Sequence, residues 1–175
     1  NVLINNAQEV PLGSVLEISE EDFVSGWESG PLATFRLMRK FHRFLENGGN
    51  IVNLASSAGL RPDSQGYGMY AAVKEAIRSL TRAAAVEWGK DNIRVNAISA
   101  GPIKTLAASG VKNFRKMLNQ HSKRAPLGRT VTAEEVGNTA AFLCSDYASG
   151  ITGEITYVDA GFNIAAMPIN DIEND

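Results

Sequence analysis

The chain has 175 residues, 44% of them hydrophobic, which supports one domain with its own core. A formal net charge of −2 argues against wholesale nucleic-acid binding, and Cys144, the only cysteine, allows no internal disulfide and suits a reducing compartment. No apolar run is long enough to span a membrane and no signal segment is visible, which leaves the cytoplasm as the default expectation.

The sequence opens on Asn1, not Met, and runs directly into Val2-Leu3-Ile4. The expectation is that something upstream is missing. Val2 to Ala7 reads as a buried strand. Ser19-Glu20-Glu21-Asp22 is a helix start, with a capping hydroxyl followed by acids at the positive end of the helix dipole. That helix is predicted from Glu20 to Leu45 with a break near Gly30-Pro31, because proline lacks an amide proton and clashes with the preceding turn. Asn50 to Ala55 is a second strand, and Ser56 to Gly66 a polar loop. Tyr67 to Trp88 follows as a helix rich in Ala and Leu. Ile93 to Ala100 is a third strand, stopped by Gly101-Pro102. Ile103 to Arg129 is mixed. Thr132-Ala133-Glu134-Glu135 starts a helix to about Cys144, and Glu154 to Asp159 is a last strand.

Strands alternating with long helices imply crossover connections and an α/β fold with a parallel sheet. In such sheets ligands sit beyond the carboxyl ends of the strands. Those ends carry Asn6-Ala7, Ser56, Gly101-Pro102-Ile103 and Asp159. No Gly-rich phosphate loop occurs, and Gly48-Gly49 reads as a turn.

Tyr67, Tyr70 and Lys74 are spaced to share one helix face. An ammonium within a turn of a phenol favours the phenolate, and a phenol so tuned can exchange a proton with a substrate oxygen. Ser56, at a strand end ahead of that helix, can hold the same oxygen by hydrogen bond. Tyr-x-x-x-Lys alone is common; Ser56 turns it into a candidate catalytic set. Tyr67 reads equally as a substrate-side residue or as loop packing. His42 and His121 have no metal-like companions and read as surface residues, so no metal site is expected.

Asn5-Asn6-Ala7, Ser56, Tyr70-Ala71-Ala72-Val73-Lys74, Ile93-Arg94-Val95-Asn96-Ala97-Ile98 and Val158-Asp159-Ala160-Gly161 together resemble the short-chain dehydrogenase/reductase family. The resemblance implies a Rossmann-type doubly wound sheet, here lacking its N-terminal strands, and NAD or NADP as cofactor. It implies Tyr70 as acid/base, with Lys74 lowering its pKa and holding the nicotinamide ribose. Ser56 would orient the reacting oxygen, and Asn6, Ala7 and Ile103 would lie along the cofactor. Two positions depart from the pattern. Gln8 stands where the family usually has glycine, and the family's proton-relay asparagine falls at Gly30. The missing strands would carry the pyrophosphate loop and the choice between NAD and NADP.

From about Arg94 the chain is similar to bacterial enoyl-acyl-carrier-protein reductase, through Ser99-Ala100-Gly101-Pro102-Ile103-Lys104-Thr105-Leu106-Ala107-Ala108-Ser109-Gly110 and Ala141-Phe142-Leu143-Cys144-Ser145-Asp146. That likeness implies cofactor contacts at Ile103, Thr105 and Ala107 and a lid over an acyl chain. It also implies a tyrosine seven residues before the lysine, which is Tyr67; its second tyrosine would fall at Ser57. Residues 1 to about 95 look more like the alcohol- and ketone-handling branch, so a mosaic junction is expected within 94–103.

Lys104, Lys112, Arg115, Lys116, Lys123, Arg124 and Arg129 lie in a stretch without acids. They read as a solvated stripe or, by the same likeness, as a docking surface for acyl carrier protein through Lys112, Arg115 and Lys116. Leu106, Val111, Phe114, Met117 and Leu118 could cover an acyl chain or pack a lid. The leading expectation is an NAD(P)-dependent oxidoreductase acting on a carbonyl or alcohol carbon. The alternatives are an NADH-dependent enoyl-acyl-carrier-protein reductase, or an incomplete domain that only oligomerises. A homo-oligomer, a dimer or tetramer, is expected through the helices beginning at Glu20 and Tyr67.

Overall fold

The apolar runs form four parallel strands in the computed structural model, which describes residues 1–45, 48–57, 66–104 and 114–165. These are β1 (Val2–Asn5), β2 (Gly49–Ser56), β3 (Ile93–Ala100) and β4 (Ile155–Val158), in spatial order β1-β2-β3-β4. Every neighbouring pair is parallel, with Leu3 opposite Ile51, Ile51 opposite Val95, and Ala97 opposite Ile155. The helices are α1 (Glu20–Trp27), α2 (Ala33–His42), α3 (Gly68–Trp88), α4 (Phe114–Arg124) and α5 (Ala133–Cys144). The architecture is α/β with a parallel sheet, as the alternation of elements predicts, and Rossmann-type, as the family resemblance implies.

Successive strand residues point to opposite faces, and the core divides accordingly. Leu3, Ile51, Ile93 and Val95 pack against Met38 of α2 and Ala84 and Ala85 of α3. Val52 and Ile98 face the other way, against Ala140 and Leu143 of α5. The sheet is therefore covered on both sides, which is why β2 and β3 read as near-continuous apolar runs.

The predicted break in the first long helix is a wide π turn, Glu28–Leu32, between α1 and α2. Pro31 has no N–H to give, and the turn widens so that Ala33 N reaches back to Glu28 O. The helix ends at His42, three residues short of expectation. Ser19 caps α1 by accepting from Asp22 N. Thr132 and Glu135 cap α5 reciprocally, Thr132 Oγ1 accepting from Glu135 N at 3.2 Å and Glu135 Oε2 from Thr132 N at 2.8 Å. Glu135 also pairs with Arg129 at 2.6 Å. These bonds hold its carboxyl at about 2, below the usual carboxylate range.

Candidate active site

Ser56 is the last residue of β2, and Tyr70 and Lys74 occupy the first turns of α3. Fourteen residues apart in sequence, Ser56 and Tyr70 meet at the carboxyl end of β2. Ser56 is hydrogen-bonded to the Tyr70 side chain. Lys74 is only 6% exposed, and its Nζ donates to Leu54 O at 3.0 Å while lying 5.5 Å from the Tyr70 ring centroid.

Tyr67 is not on the helix, as the spacing predicts, but is its N-cap residue, with φ −101°. Its ring still meets Tyr70 edge to face at 5.8 Å. The two hydroxyls part company from there: that of Tyr67 donates to Met117 Sδ of α4 at 3.5 Å, whereas that of Tyr70 joins Ser56.

The electrostatics differ from the sequence argument. Burial raises the Tyr70 phenol above its ordinary value; the Ser56 hydrogen bond opposes this without overcoming it, and Tyr67 adds to it. Burial also raises Tyr67. Lys74 is pushed down to about 8 by the same cause. The ammonium therefore does not turn the phenol into a phenolate; both phenols are held protonated at neutral pH. Burial outweighs the hydrogen bond to Leu54 O, which by itself would favour the ammonium.

Asn6 and Ala7 emerge exposed beyond β1. Ile103, half-buried beyond β3, packs against Ala125, Val131, Ala160 and Phe162. Arg115 and Lys116 are exposed on α4. Thr105, Ala107 and Lys112, like Leu106 and Val111, lie outside the described residues. Gly101 ends β3 tightly: a Cβ there would lie 3.1 Å from both Asp159 Cα and His121 Nε2. Asp159, just beyond β4, accepts from Gly161 N at 3.0 Å and Asn163 N at 2.9 Å.

A nicotinamide riboside fits this donor set. Lys74 and the Tyr70 hydroxyl suit ribose hydroxyls, while Asn6-Ala7 follow β1 and Ile103 follows β3, the strands on either side of β2.

His121 corrects the sequence reading. It is 4% exposed, stacked on Phe162 at 4.2 Å, with both ring nitrogens buried and without a hydrogen-bond partner among the described residues. Burial holds its pKa below the ordinary value, Asp159 opposing and Arg124 assisting. Its burial is invisible in the sequence because Phe162 is forty-one residues away. Gly30 and Gln8, the two departures, prove to be neighbours. The Gln8 carboxamide occupies the space that a side chain at Gly30 would need, and neither its nitrogen nor its oxygen has a hydrogen-bond partner among the described residues. Sequence reasoning also missed Arg78, one turn beyond Lys74 and 2% exposed. An arginine on the same face as Lys74 was the available signal.

A parallel sheet with serine, tyrosine and lysine gathered at its carboxyl edge defines the short-chain dehydrogenase/reductase class. The family model that matches residues 1–163 is described as enoyl-(acyl carrier protein) reductase, and the chain belongs to that family. Among its relatives, the enoyl-acyl-carrier-protein reductase (NADH) of Haemophilus influenzae is 63% identical over 101 residues, 58% of this chain and 38% of that protein. The Escherichia coli reductase of the same name is 46% identical over 140 residues, 80% of this chain and 53% of that protein. The crystal structure of the enoyl-acyl-carrier-protein reductase (NADH) of Aquifex aeolicus superposes with a TM-score of 0.88 at 34% identity, covering 95% of this chain and 66% of that one. The chain thus spans about half the length of the curated relatives it matches.

Proposed function

We propose that this chain provides the catalytic part of an NADH-dependent oxidoreductase that reduces the carbon–carbon double bond of an enoyl thioester carried on acyl carrier protein. The observation that carries this reading is the direction of Tyr67: its hydroxyl turns from the Ser56–Tyr70 pair toward Met117 of α4, the helix that bears the exposed cations. The names of the relatives favour NADH and this substrate over a ketone or alcohol.

When bound, NADH would supply the hydride that the thioester's β carbon takes up. Lys74 would hold its ribose, with Asn6, Ala7 and Ile103 along it; Thr105 and Ala107, outside the described residues, are assigned to it by the family resemblance alone. As electron density moves to the thioester oxygen, Tyr67, protonated at neutral pH, gives that oxygen its phenolic proton; the α carbon then takes a proton from water as the oxygen returns its own to Tyr67, which leaves the saturated thioester. Tyr70 and Ser56 steady the nicotinamide side of the substrate. A second reading, reduction of a carbonyl with Tyr70 as the proton donor, draws on the Ser56–Tyr70 hydrogen bond.

Turnover followed by NADH loss, with an enoyl thioester and with a ketone, separates the two. Thioester reduction should fall by about 10²- to 10⁴-fold in Tyr67→Phe and far less in Tyr70→Phe. Ketone turnover that only Tyr70→Phe abolishes would establish the second reading instead. Calorimetric titration of the chain with NADH and NADPH comes first. Absence of any binding would leave the third possibility, a domain that only associates.

A further inference from the structure

Arg78 is a buried cation that the proposed reaction does not use. Its Nη2 donates to Ser56 O and to Ser99 Oγ, both at 2.8 Å, and its Nη1 to Tyr157 OH at 3.0 Å. Its Nε lies 3.1 Å from Glu75 Oε1. One guanidinium thus grips the carboxyl ends of β2, β3 and β4 together. Ser99 and Tyr157 are themselves paired across the β3–β4 ladder. One turn earlier on the same helix, Lys74 Nζ holds Leu54 O. The two cations, four residues apart on α3, therefore fix two carbonyls that are two residues apart on β2. Beyond Asn5 the edge strand β1 no longer pairs with β2, so the stretch Leu54–Ser56 depends on α3 for anchorage on that side. A buried guanidinium is costly unless its donors are satisfied; here both Nη atoms donate, one of them to the main chain of the serine that meets Tyr70, while Nε, close to Glu75, makes no hydrogen bond among the described residues.

We propose that Arg78 is a positioning residue of the site: by holding the Ser56 carbonyl against Ser99 and Tyr157, it sets the Ser56 hydroxyl on Tyr70. The effect on rate rests on the oxidoreductase reading above; the effect on Tyr70 does not. Tyrosine labelled with ¹³C at Cζ reads the hydrogen bond directly in the whole chain, the Tyr70 signal being assigned with Tyr70→Phe. Ser56→Ala calibrates the shift produced when that bond is lost. Arg78→Met is expected to reproduce that shift, and Arg78→Lys, which keeps the charge but cannot span the three strand ends, to give part of it. Where the chain turns over an enoyl thioester, Arg78→Met should lower kcat by about 10²-fold, the scale of a misplaced reacting group, with KM changed less than about threefold.

A Tyr70 signal unmoved in Arg78→Met, while Ser56→Ala moves it, overturns the proposal even if the variant is less stable. Should Arg78→Met fail to fold, Arg78→Lys decides by the same signal. A parent chain without turnover sinks the oxidoreductase reading and leaves the Tyr70 measurement to decide the role of Arg78.

Discussion

At the scale of single residues, the site stores its tension in Lys74. Its folded pKa of about 8 lies below the unfolded value near 10.5. Above the unfolded value both states are neutral and no penalty exists. As pH falls through the interval from about 10.5 to 8, the unfolded chain takes up a proton that the folded chain refuses, so stability falls. Below 8 the penalty is complete. Lys74→Met should therefore stabilise the chain by roughly 2 kcal/mol at pH 7, after discounting the lost bond to Leu54 O. That gain should vanish above about pH 10.5, as urea titrations across the interval would show; a pH-independent gain would mean that lysine burial is not its source. His121 acts at the other end of the scale. Its folded pKa lies below the ordinary value, so acidification below about pH 6.5 protonates the unfolded chain first and destabilises the fold. His121→Leu should flatten that acid limb by up to about 1.4 kcal/mol per pH unit, measured as the pH dependence of unfolding free energy against the parent.

Between elements, the close approach of α1 and its π turn to α3 explains what the sequence leaves puzzling at position 30. Gly26 and Gly30, four residues apart, are both buried against α3 at Met69 and Val73, also four apart. A Cβ at Gly26 would strike the flexible end of Met69; one at Gly30 would strike the Gln8 amide and lie 2.7 Å from Val73 Cγ1. Gln8 and Gly30 are thus one packing solution, a long side chain filling the space beside a glycine. Gly30→Ala should cost about 1–3 kcal/mol, the usual range for overpacking. In a Gln8→Ala background the cost should shrink, leaving the Val73 contact. Equal costs in the two backgrounds, in a thermodynamic double-mutant cycle, would show that the two positions do not share the space. The sequence carried the pairing of serine, tyrosine and lysine because their placement follows from strand ends and helical spacing. It carried the kink because Pro31 acts locally. It could not carry the burial of His121, the reach of Arg78 or the Gln8–Gly30 fit. Each depends on which surface of one element meets another across twenty or more residues.

On the scale of the whole molecule, the two stretches suspected of different ancestry interlock fully. β2 and β3 pair from Gly49–Ile93 to Ser56–Ala100 without a break. Asn50 Nδ2 donates to Cys144 O at 3.1 Å, and Arg78 donates to Ser99 Oγ and Tyr157 OH, so side chains of the first stretch are bound to the second. A junction within 94–103 would fall in a strand that both branches write alike, so the sheet gives it no mark; we propose it still, and sequencing the source DNA across it should reveal two genomic origins. The same scale governs recognition. The chain is slightly acidic overall, yet α4 presents Arg115 and Lys116 to solvent on the helix whose Met117 receives the Tyr67 hydroxyl. Under the proposed function, an enoyl thioester on an acidic carrier would bring the carrier to this helix while its thioester reached Tyr67. Exposed charges at the rim of an encounter act mainly on association, and salt screens them over about 10 Å at 0.1 M. Arg115→Glu with Lys116→Glu should therefore raise KM for an enoyl thioester on acyl carrier protein by about tenfold at low salt. The increase should fade as salt is added, with kcat unchanged. Toward a small enoyl thioester without the carrier, the same variant should match the parent. Equal losses with both substrates would place the two cations in the chemistry or the folding of α4 and remove the docking surface.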